Sequence, residues 1–178
     1  MRKFLILLPL LVVPVSAWAQ DVPKVQLFGG YSNMWANANT SNNNFDMNGV
    51  TVSAQENLNS WFGGVLDFST HFGTENGFHT NAQTISYGPV FSYRKHNGIV
   101  PFAHVMLGAE RGGSNYLNIS RPETRFVALA GGGIDIKIRP TVSLRVIQVD
   151  YVMSKFSNAR QDNLRISAGF VFNLGKKK

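Results

Sequence analysis

Ser69 and His71 are the residues of this chain that come nearest to a catalytic set. They lie two positions apart in a segment of alternating polar and apolar residues, so both side chains point to the same face of a strand. With Asp67 or Glu110 as the acid, they would form the serine, histidine and carboxylate combination of an acyl hydrolase. Such an enzyme must present its serine to lipid or to an open pocket. The strand facing derived below places both side chains inside a filled interior, so we do not expect catalysis.

The sequence gives less support to other kinds of catalytic or binding site. The chain has no cysteine, which excludes a thiolate metal site and a cysteine nucleophile. The four histidines are spread over different segments without the spacing of a metal site. Glycine clusters at 29–30, 63–64 and 131–133 lie within strand-like segments that no helix follows, so they are not nucleotide-binding loops. Glycines in such positions are typical of bends, bulges or close aromatic packing, and we expect no cofactor.

The N-terminus has the layout of a cleaved export signal. A basic start precedes an uninterrupted apolar run over residues 4–15, and Ala17 and Ala19 then form an A-x-A cleavage site. The apolar run is shorter than the roughly 20 residues that a helix needs to cross a bilayer. We therefore expect residues 1–19 to be removed and residues 20–178 to form one domain.

The net charge of +7 is unevenly distributed along the chain. Arg2 and Lys3 belong to the predicted signal, and Lys176, Lys177 and Lys178 form the C-terminus. The charges between them are nearly balanced. A nucleic-acid-binding protein would carry its basic residues on one face, so we do not expect nucleic acid as a partner.

Alternation with a period of two recurs after the signal, in segments of about ten residues, whereas no long window has a helical period. Polar stretches rich in Asn, Ser, Gly and Thr separate these segments. In the seventh segment the alternation slips by one residue at Val146 and Ile147, which predicts a β-bulge. The predicted strands are residues 24–33, 49–58, 61–72, 83–93, 100–110, 124–138, 142–153 and 164–174.

The predicted connections alternate between short and long. The short ones are residues 59–60, 94–99 and 139–141, and the long ones are residues 34–48, 73–82, 111–123 and 154–163. This segregation is typical of outer-membrane barrels, which place the short turns in the periplasm. The short-turn side also collects basic residues, among them Arg94 and Arg139, which we interpret as solvated.

One face of the strands is apolar, and the ions lie on the other. In the last strand Leu164 and Phe170 share the apolar face, while Arg165 and Ser167 share the polar face. The apolar face is long enough for a membrane strand, which needs about 9–11 residues. A soluble lipocalin-like barrel would show the inverse arrangement. We therefore predict an all-β protein, an antiparallel up-and-down transmembrane β-barrel of about eight strands.

The charges on the polar face nearly cancel. Buried charges must be paired and hydrogen-bonded, and eight strands leave an interior just wide enough to be filled by side chains. We therefore predict a lumen filled by a paired-charge network. Its predicted members are Asp67, Glu110, Arg125, Asp135, Lys137, Arg145, Asp150 and Arg165.

Three segments resemble the outer membrane protein β-barrel domain family, of the small OmpA/OmpX type: WFGGVLDFS at 61–69, LRVIQVDY at 144–151 and RISAGFVF at 165–172. The resemblance implies a location in the outer membrane of a Gram-negative-type cell and insertion by the barrel assembly machinery. It also implies that Phe170 and Phe172, at the end of the last strand, act as the C-terminal assembly signal. The chain departs from the family pattern by continuing beyond Phe172.

These observations predict a structural or surface-interaction role in the envelope, without enzymatic activity and with little or no ion conduction. The alternatives are a narrow channel and a lipid A-modifying acyl hydrolase or transferase. The expected partners are outer-membrane lipid and, during insertion, the assembly machinery. We expect a monomer, and the sequence names no surface ligand.

Overall fold

The computed structural model describes residues 22–38, 43–75, 78–95, 98–116, 119–120, 123–155 and 160–177. The predicted signal, with Ala17 and Ala19, lies outside these residues. Within them, no helix has the length and hydropathy needed to cross a membrane. The strands are β1 (Val22–Ala38), β2 (Asn43–Asn57), β3 (Phe62–Glu75), β4 (Phe78–Ser92), β5 (Ile99–Tyr116), β6 (Ile119–Ser120), β7 (Glu123–Arg139), β8 (Val142–Lys155) and β9 (Arg160–Lys177).

Eight of these strands form a closed antiparallel barrel. Each pairs with its neighbours along the chain, and β1 pairs with β9 from Val22↔Lys177 to Trp35↔Leu164, which closes the sheet. The two-residue β6 pairs with the end of β5 and takes no part in the barrel wall. The predicted all-β, eight-stranded up-and-down barrel is confirmed.

The strands are longer than the sequence predicted. Residues 34–48 were predicted as a loop, but β1 and β2 remain paired out to Ala38↔Asn43. The other three predicted long loops are likewise largely strand, and one of them contains β6. The prediction relied on apolar alternation, which a strand needs only where one face meets lipid. Beyond that belt the backbone pairing continues without the regular apolar alternation.

The outward faces of the strands form a continuous apolar surface. Phe68 lies between its register partners Val52 and Ile85, and the three side chains are 43%, 50% and 52% exposed. Exposed aromatic residues lie near both edges of this surface, with Trp61 at the short-turn edge and Phe72 towards the long hairpins. Large apolar side chains in such numbers are stable outside only in a hydrocarbon environment, and aromatic girdles at both edges are typical of a spanning barrel.

The predicted β-bulge in β8 is confirmed. The register of β8 against β9 shifts between Arg145 and Gln148, and that of β8 against β7 shifts at the same level. Val146 and Ile147 are consequently both exposed on the outer surface, at 46% and 40%. The bulge restores the alternation on either side and sets which side chains of β8 enter the lumen.

Candidate functional site

Arg165 on β9 is the centre of a hydrogen-bonded network inside the barrel. Its Nη1 donates to Asp67 Oδ1 at 2.9 Å and to Ser69 Oγ at 3.0 Å, both on β3. Its Nε and Nη2 donate to Oδ2 of Asp150 on β8, at 2.9 and 2.7 Å. The other oxygen of Asp150 lies 2.8 Å from Nε2 of His104 on β5. The network therefore crosses the lumen from β3 to β5.

Arg145 on β8 is stacked between two aromatic rings. Its guanidinium carbon lies 4.4 Å from the ring centre of Phe28 on β1 and 4.1 Å from that of Phe102 on β5. In the closed order of eight strands, β1 and β5 lie on opposite sides of the barrel. The same guanidinium donates to both carboxylate oxygens of Asp135, at 2.8 and 3.1 Å. Cation–π contact and a bidentate ion pair thus hold this charge between opposite walls of the barrel.

Gln148 joins these two groups into one network. It accepts a hydrogen bond from Arg145 Nη1 at 2.6 Å, and its own Nε2 donates to Asp150 Oδ2 at 2.8 Å. Residues three apart lie on opposite faces of a regular strand, so Arg145 and Gln148 both point inwards only because of the bulge between them. The bulge therefore connects the two ion-pair centres.

Glu110 and Arg125 form a separate pair nearer the long hairpins. They are cross-strand partners of β5 and β7, with 3.7 Å between Arg125 Nη1 and Glu110 Oε1. Thr84 Oγ1 on β4 lies 3.5 Å from the second oxygen of Glu110.

Lys137 is the predicted network member that does not lie in the buried lumen. Its side chain is exposed and lines the opening of the barrel at the short-turn end. On β7 the last buried side chain is that of Asp135, whereas the strand continues to Arg139. Strand alternation gave the direction of the Lys137 side chain but not its depth along the barrel.

Apolar side chains also occupy a large part of the lumen, in addition to the charged groups. These apolar side chains form two clusters, and the smaller one, of Met34, Met47 and Ala82, lies towards the long hairpins. Both kinds of side chain are needed because ion pairs alone do not pack to the density of a protein interior. The main apolar cluster comprises Val65, Val90, Phe102, Met106, Val127, Leu129 and Val152.

The proposed pairing of Ser69 with His71 is not observed. Ser69 is a hydrogen-bond acceptor for Arg165, whereas His71 Nε2 lies 2.7 Å from Oγ of Ser32 on β1. Ser32 and His71 are both buried, at 0% and 1% exposure. This pair therefore has no surface on which a substrate could meet it.

Arg94, which we expected to be solvated, is buried at the short-turn end of the lumen. Its Nη2 donates to Gln26 Oε1 at 2.8 Å and to Asn57 Oδ1 at 2.9 Å, and its Nη1 donates to the carbonyl oxygen of Ser60 at 2.8 Å. Burial lowers the pKa of the Arg94 guanidinium to about 10, against the opposing effect of Asp135, so the group stays charged at neutral pH. The arginine folds back into the barrel because uncharged oxygens at three positions replace its hydration.

The inward-facing glycines provide space for the network. A Cβ atom at Gly133 would lie 2.9 Å from the ring of Phe102, and one at Gly30 would lie 2.7 Å from the ring of Phe28. These are the rings that enclose Arg145. A Cβ at Gly131 would overlap the carboxylate of Asp150. The predicted packing of aromatics against strand glycines is confirmed. Gly131 likewise leaves room for the carboxylate of Asp150.

We expect Gly131→Ala to lower the free energy of unfolding by about 1–3 kcal/mol, because the new methyl group overlaps Asp150 and the backbone carbonyl of Val149. Gly29→Ala is the matched control. A Cβ there has nothing within 4 Å, so its effect should stay within about 0.5 kcal/mol. Urea unfolding of both variants in phospholipid vesicles measures the difference. Equal losses in the two variants would contradict the role given to Gly131.

Sequence reasoning missed several members of the network. Gln148 bridges Arg145 and Asp150, His104 contacts Asp150, and Phe28 and Phe102 enclose Arg145, but none of the four was predicted to do so. Their inward direction was available from strand alternation. Which side chains meet across the lumen depends on the barrel's closure and on the register of strands far apart in sequence.

Comparisons with known proteins agree on this architecture. The family model of the outer membrane protein β-barrel domain matches residues 5–172. Neisserial surface protein A is similar with a TM-score of 0.71 at 11% identity, over 85% of this chain and 97% of that one. The outer membrane protein OprG of Pseudomonas aeruginosa gives a TM-score of 0.60 at 8% identity, over 85% of this chain and 96% of that one.

A third similar structure is Ail, the attachment invasion locus protein of Yersinia pestis, in complex with the heparin analogue sucrose octasulfate. Its TM-score is 0.59 at 15% identity, over 85% of this chain and 99% of that one. No curated protein sequence matches the chain. At these identities the solved structures share the fold, while the family model covers most of the sequence. The chain thus belongs to the outer membrane protein β-barrel domain family and resides in the outer membrane.

Proposed function

We propose that this protein is a closed scaffold barrel, which anchors polar hairpins at the membrane surface and does not conduct ions through its lumen. The observation that carries the proposal is the stack of Phe28, Arg145 and Phe102, which extends from β1 to the opposite strand β5. An ion crossing the barrel would have to separate these rings from the guanidinium.

The hydrogen-bonded network supports the same proposal. Asp67, Arg165, Asp150 and His104 link β3, β9, β8 and β5 through bonds of 2.7–2.9 Å. Opening a path would break ion pairs between groups that are almost fully buried. Leaving such charges unpaired costs about 3–5 kcal/mol, so a stable open state is strongly disfavoured.

The long hairpins offer the surface for an interaction role. On the outer face of β2, β3 and β4 an open groove of about 450 Å³ is lined by polar side chains around the exposed ring of Phe72. Asp46, Asn48, Thr74 and Asn81 surround that ring. Ail shares the fold and is described with a bound heparin analogue, so a barrel of this architecture can carry a ligand. Polar groups around an apolar ring suit a polar, ring-containing ligand.

The first test is conductance in a planar lipid bilayer. We expect the inserted wild-type protein to give no steady current. Phe28→Ala combined with Phe102→Ala should raise the current, because it removes both rings of the stack while leaving the barrel wall intact.

Phe68→Ala, which shortens an aromatic side chain on the outer surface, is the matched control and should leave the current at the wild-type level. Heat-modifiable migration on a gel reports whether each variant is folded. A large, stable current through wild-type protein would contradict a closed scaffold and favour a narrow channel.

Processing and assembly complete the proposal. We propose that residues 1–19 are removed after Ala19 during export. Phe170 and Phe172, both about half exposed on the outer face of β9, then act as the signal for the assembly machinery. Pairing of β1 with β9 leaves no free edge in the barrel wall, which supports a monomer.

A further inference from the structure

The short-turn end of the barrel contains an open cavity of about 380 Å³, here called the short-turn vestibule. Four of its lining residues are cationic: Arg94 after β4, Lys137 and Arg139 at the end of β7, and Lys176 near the end of β9. These positions lie on three parts of the chain far apart in sequence. Only the closing of the barrel brings them to one opening.

The described cations that line the short-turn vestibule outnumber the acids that line it. Among its described lining residues Asp135 is the single acid, and both of its carboxylate oxygens accept hydrogen bonds from Arg145. Arg94 is held by the uncharged oxygens of Gln26, Asn57 and Ser60. A concave site lined by one sign of charge, with walls of low dielectric, concentrates ions of the opposite sign.

The backbone directs a further cation into this opening. Phe172 and Leu174 are exposed on the outer face of β9, and strict alternation would place Lys176 on that face as well. Instead Gly175 adopts a φ of 65°, a left-handed conformation that favours glycine, and Lys176 lines the short-turn vestibule. The end of β9 is therefore shaped to add positive charge at the opening.

We propose that the short-turn vestibule binds a phosphate-bearing anion. Guanidinium groups match the oxygens of phosphate, and lysines add point charges. A phosphate monoester carries about −1.5 to −2 charges, which suits several converging cations better than the single charge of a monocarboxylate ligand does. The cavity volume falls within the range of about 300–1,000 Å³ that is typical of ligand sites. A phospholipid head group and a soluble phosphate compound share this chemistry.

Titration calorimetry on the full mature protein, folded in an uncharged detergent, tests the proposal with two probes. Pyrophosphate represents a soluble source, and lysophosphatidic acid in mixed micelles represents a lipid source. We expect at least one of them to bind, and the double variant Lys137→Gln/Arg139→Gln to weaken binding about tenfold or more. Binding of lysophosphatidic acid alone would assign the site to a lipid head group, whereas binding of pyrophosphate would assign it to soluble phosphate.

Two controls make the outcome specific. Lys24→Gln/Lys95→Gln removes the same charge from exposed positions at the same end that do not line the vestibule, and it should change the affinity by less than about twofold. Malonate, a dicarboxylate, should bind about tenfold more weakly than the phosphate probe. The proposal is overturned if neither phosphate probe binds, if malonate binds equally well, or if the control pair weakens binding as much as the vestibule pair. Heat-modifiable migration verifies that every variant is folded.

Discussion

Replacing Arg165 by methionine is expected to lower the free energy of unfolding by about 3–5 kcal/mol. The substitution keeps a long side chain but removes the cation that pairs with Asp67 and Asp150, whose side chains are 2% and 0% exposed. Both carboxylates would then be buried without their principal partner. Urea unfolding in phospholipid vesicles, followed by tryptophan fluorescence, measures the loss.

Lys137→Met is the matched control for this prediction. Lys137 has the same charge and an inward strand position, but it is exposed at the opening of the barrel, so the change should stay within about 0.5 kcal/mol. Adding Asp67→Asn and Asp150→Asn to Arg165→Met should recover part of the stability, because the neutral amides no longer need a cation. Equal losses for the Arg165 and Lys137 variants would show that the interior network does not stabilise the barrel.

Phe68→Arg should lower the free energy of unfolding in a bilayer by about 2–4 kcal/mol. Phe68 lies midway along the outer face of β3, between Val52 on β2 and Ile85 on β4. An arginine there would place its charge in hydrocarbon. The same urea titration in vesicles measures the effect.

Asn81→Arg is the control for position along the barrel. Asn81 also faces outwards, but it pairs with Phe72 at the edge of the apolar surface, where an arginine should cost only about 0–1 kcal/mol. If Phe68→Arg cost no more than Asn81→Arg, the outer face of β3 would not lie in the membrane core.

The large losses of stability expected for Arg165→Met and Phe68→Arg share one cause, which is the lipid around the barrel. Lipid surrounds the apolar face, so this barrel cannot gain stability by hiding that face from water, as a soluble protein does. The interior therefore has to contribute specific contacts, and it does so with paired charges around Arg165 and Arg145 and with an apolar cluster centred on β5 and β7. Removing one partner of a pair leaves a buried charge that neither water nor lipid can solvate.

Alternation made much of the fold predictable. A strand's side chains repeat every two residues, so the position of Arg165 between Leu164 and Ile166 fixed its direction into the lumen. The same reasoning located the bulge at Val146 and Ile147, because a break in phase has no other simple explanation in a strand. Strand ends were less predictable, since polar hairpins beyond the lipid lose the alternation while they keep their pairing.

The alternation does not predict how deep in the barrel a side chain lies, or which side chains from distant strands it contacts. Lys137 and Asp135 have the same direction, yet one is exposed and the other is buried. Arg94 follows the end of a strand, where a charged residue is usually solvated, but it turns back to oxygens supplied from β1, β2 and the turn after it. His71 meets Ser32 and not the nearby Ser69, because their strands bring them together across β2.

The sequence by itself determined a barrel of about eight strands, the face that each strand turns to lipid and the direction of most of the charges that enter the lumen. Those properties follow from a local period of two, which is written in consecutive residues. Only the tertiary structure decided which charges meet, that Phe28 and Phe102 enclose Arg145, and that Arg94, Lys137, Arg139 and Lys176 surround one opening. These contacts depend on register and closure, which relate residues far apart along the chain and are fixed only when β1 pairs with β9.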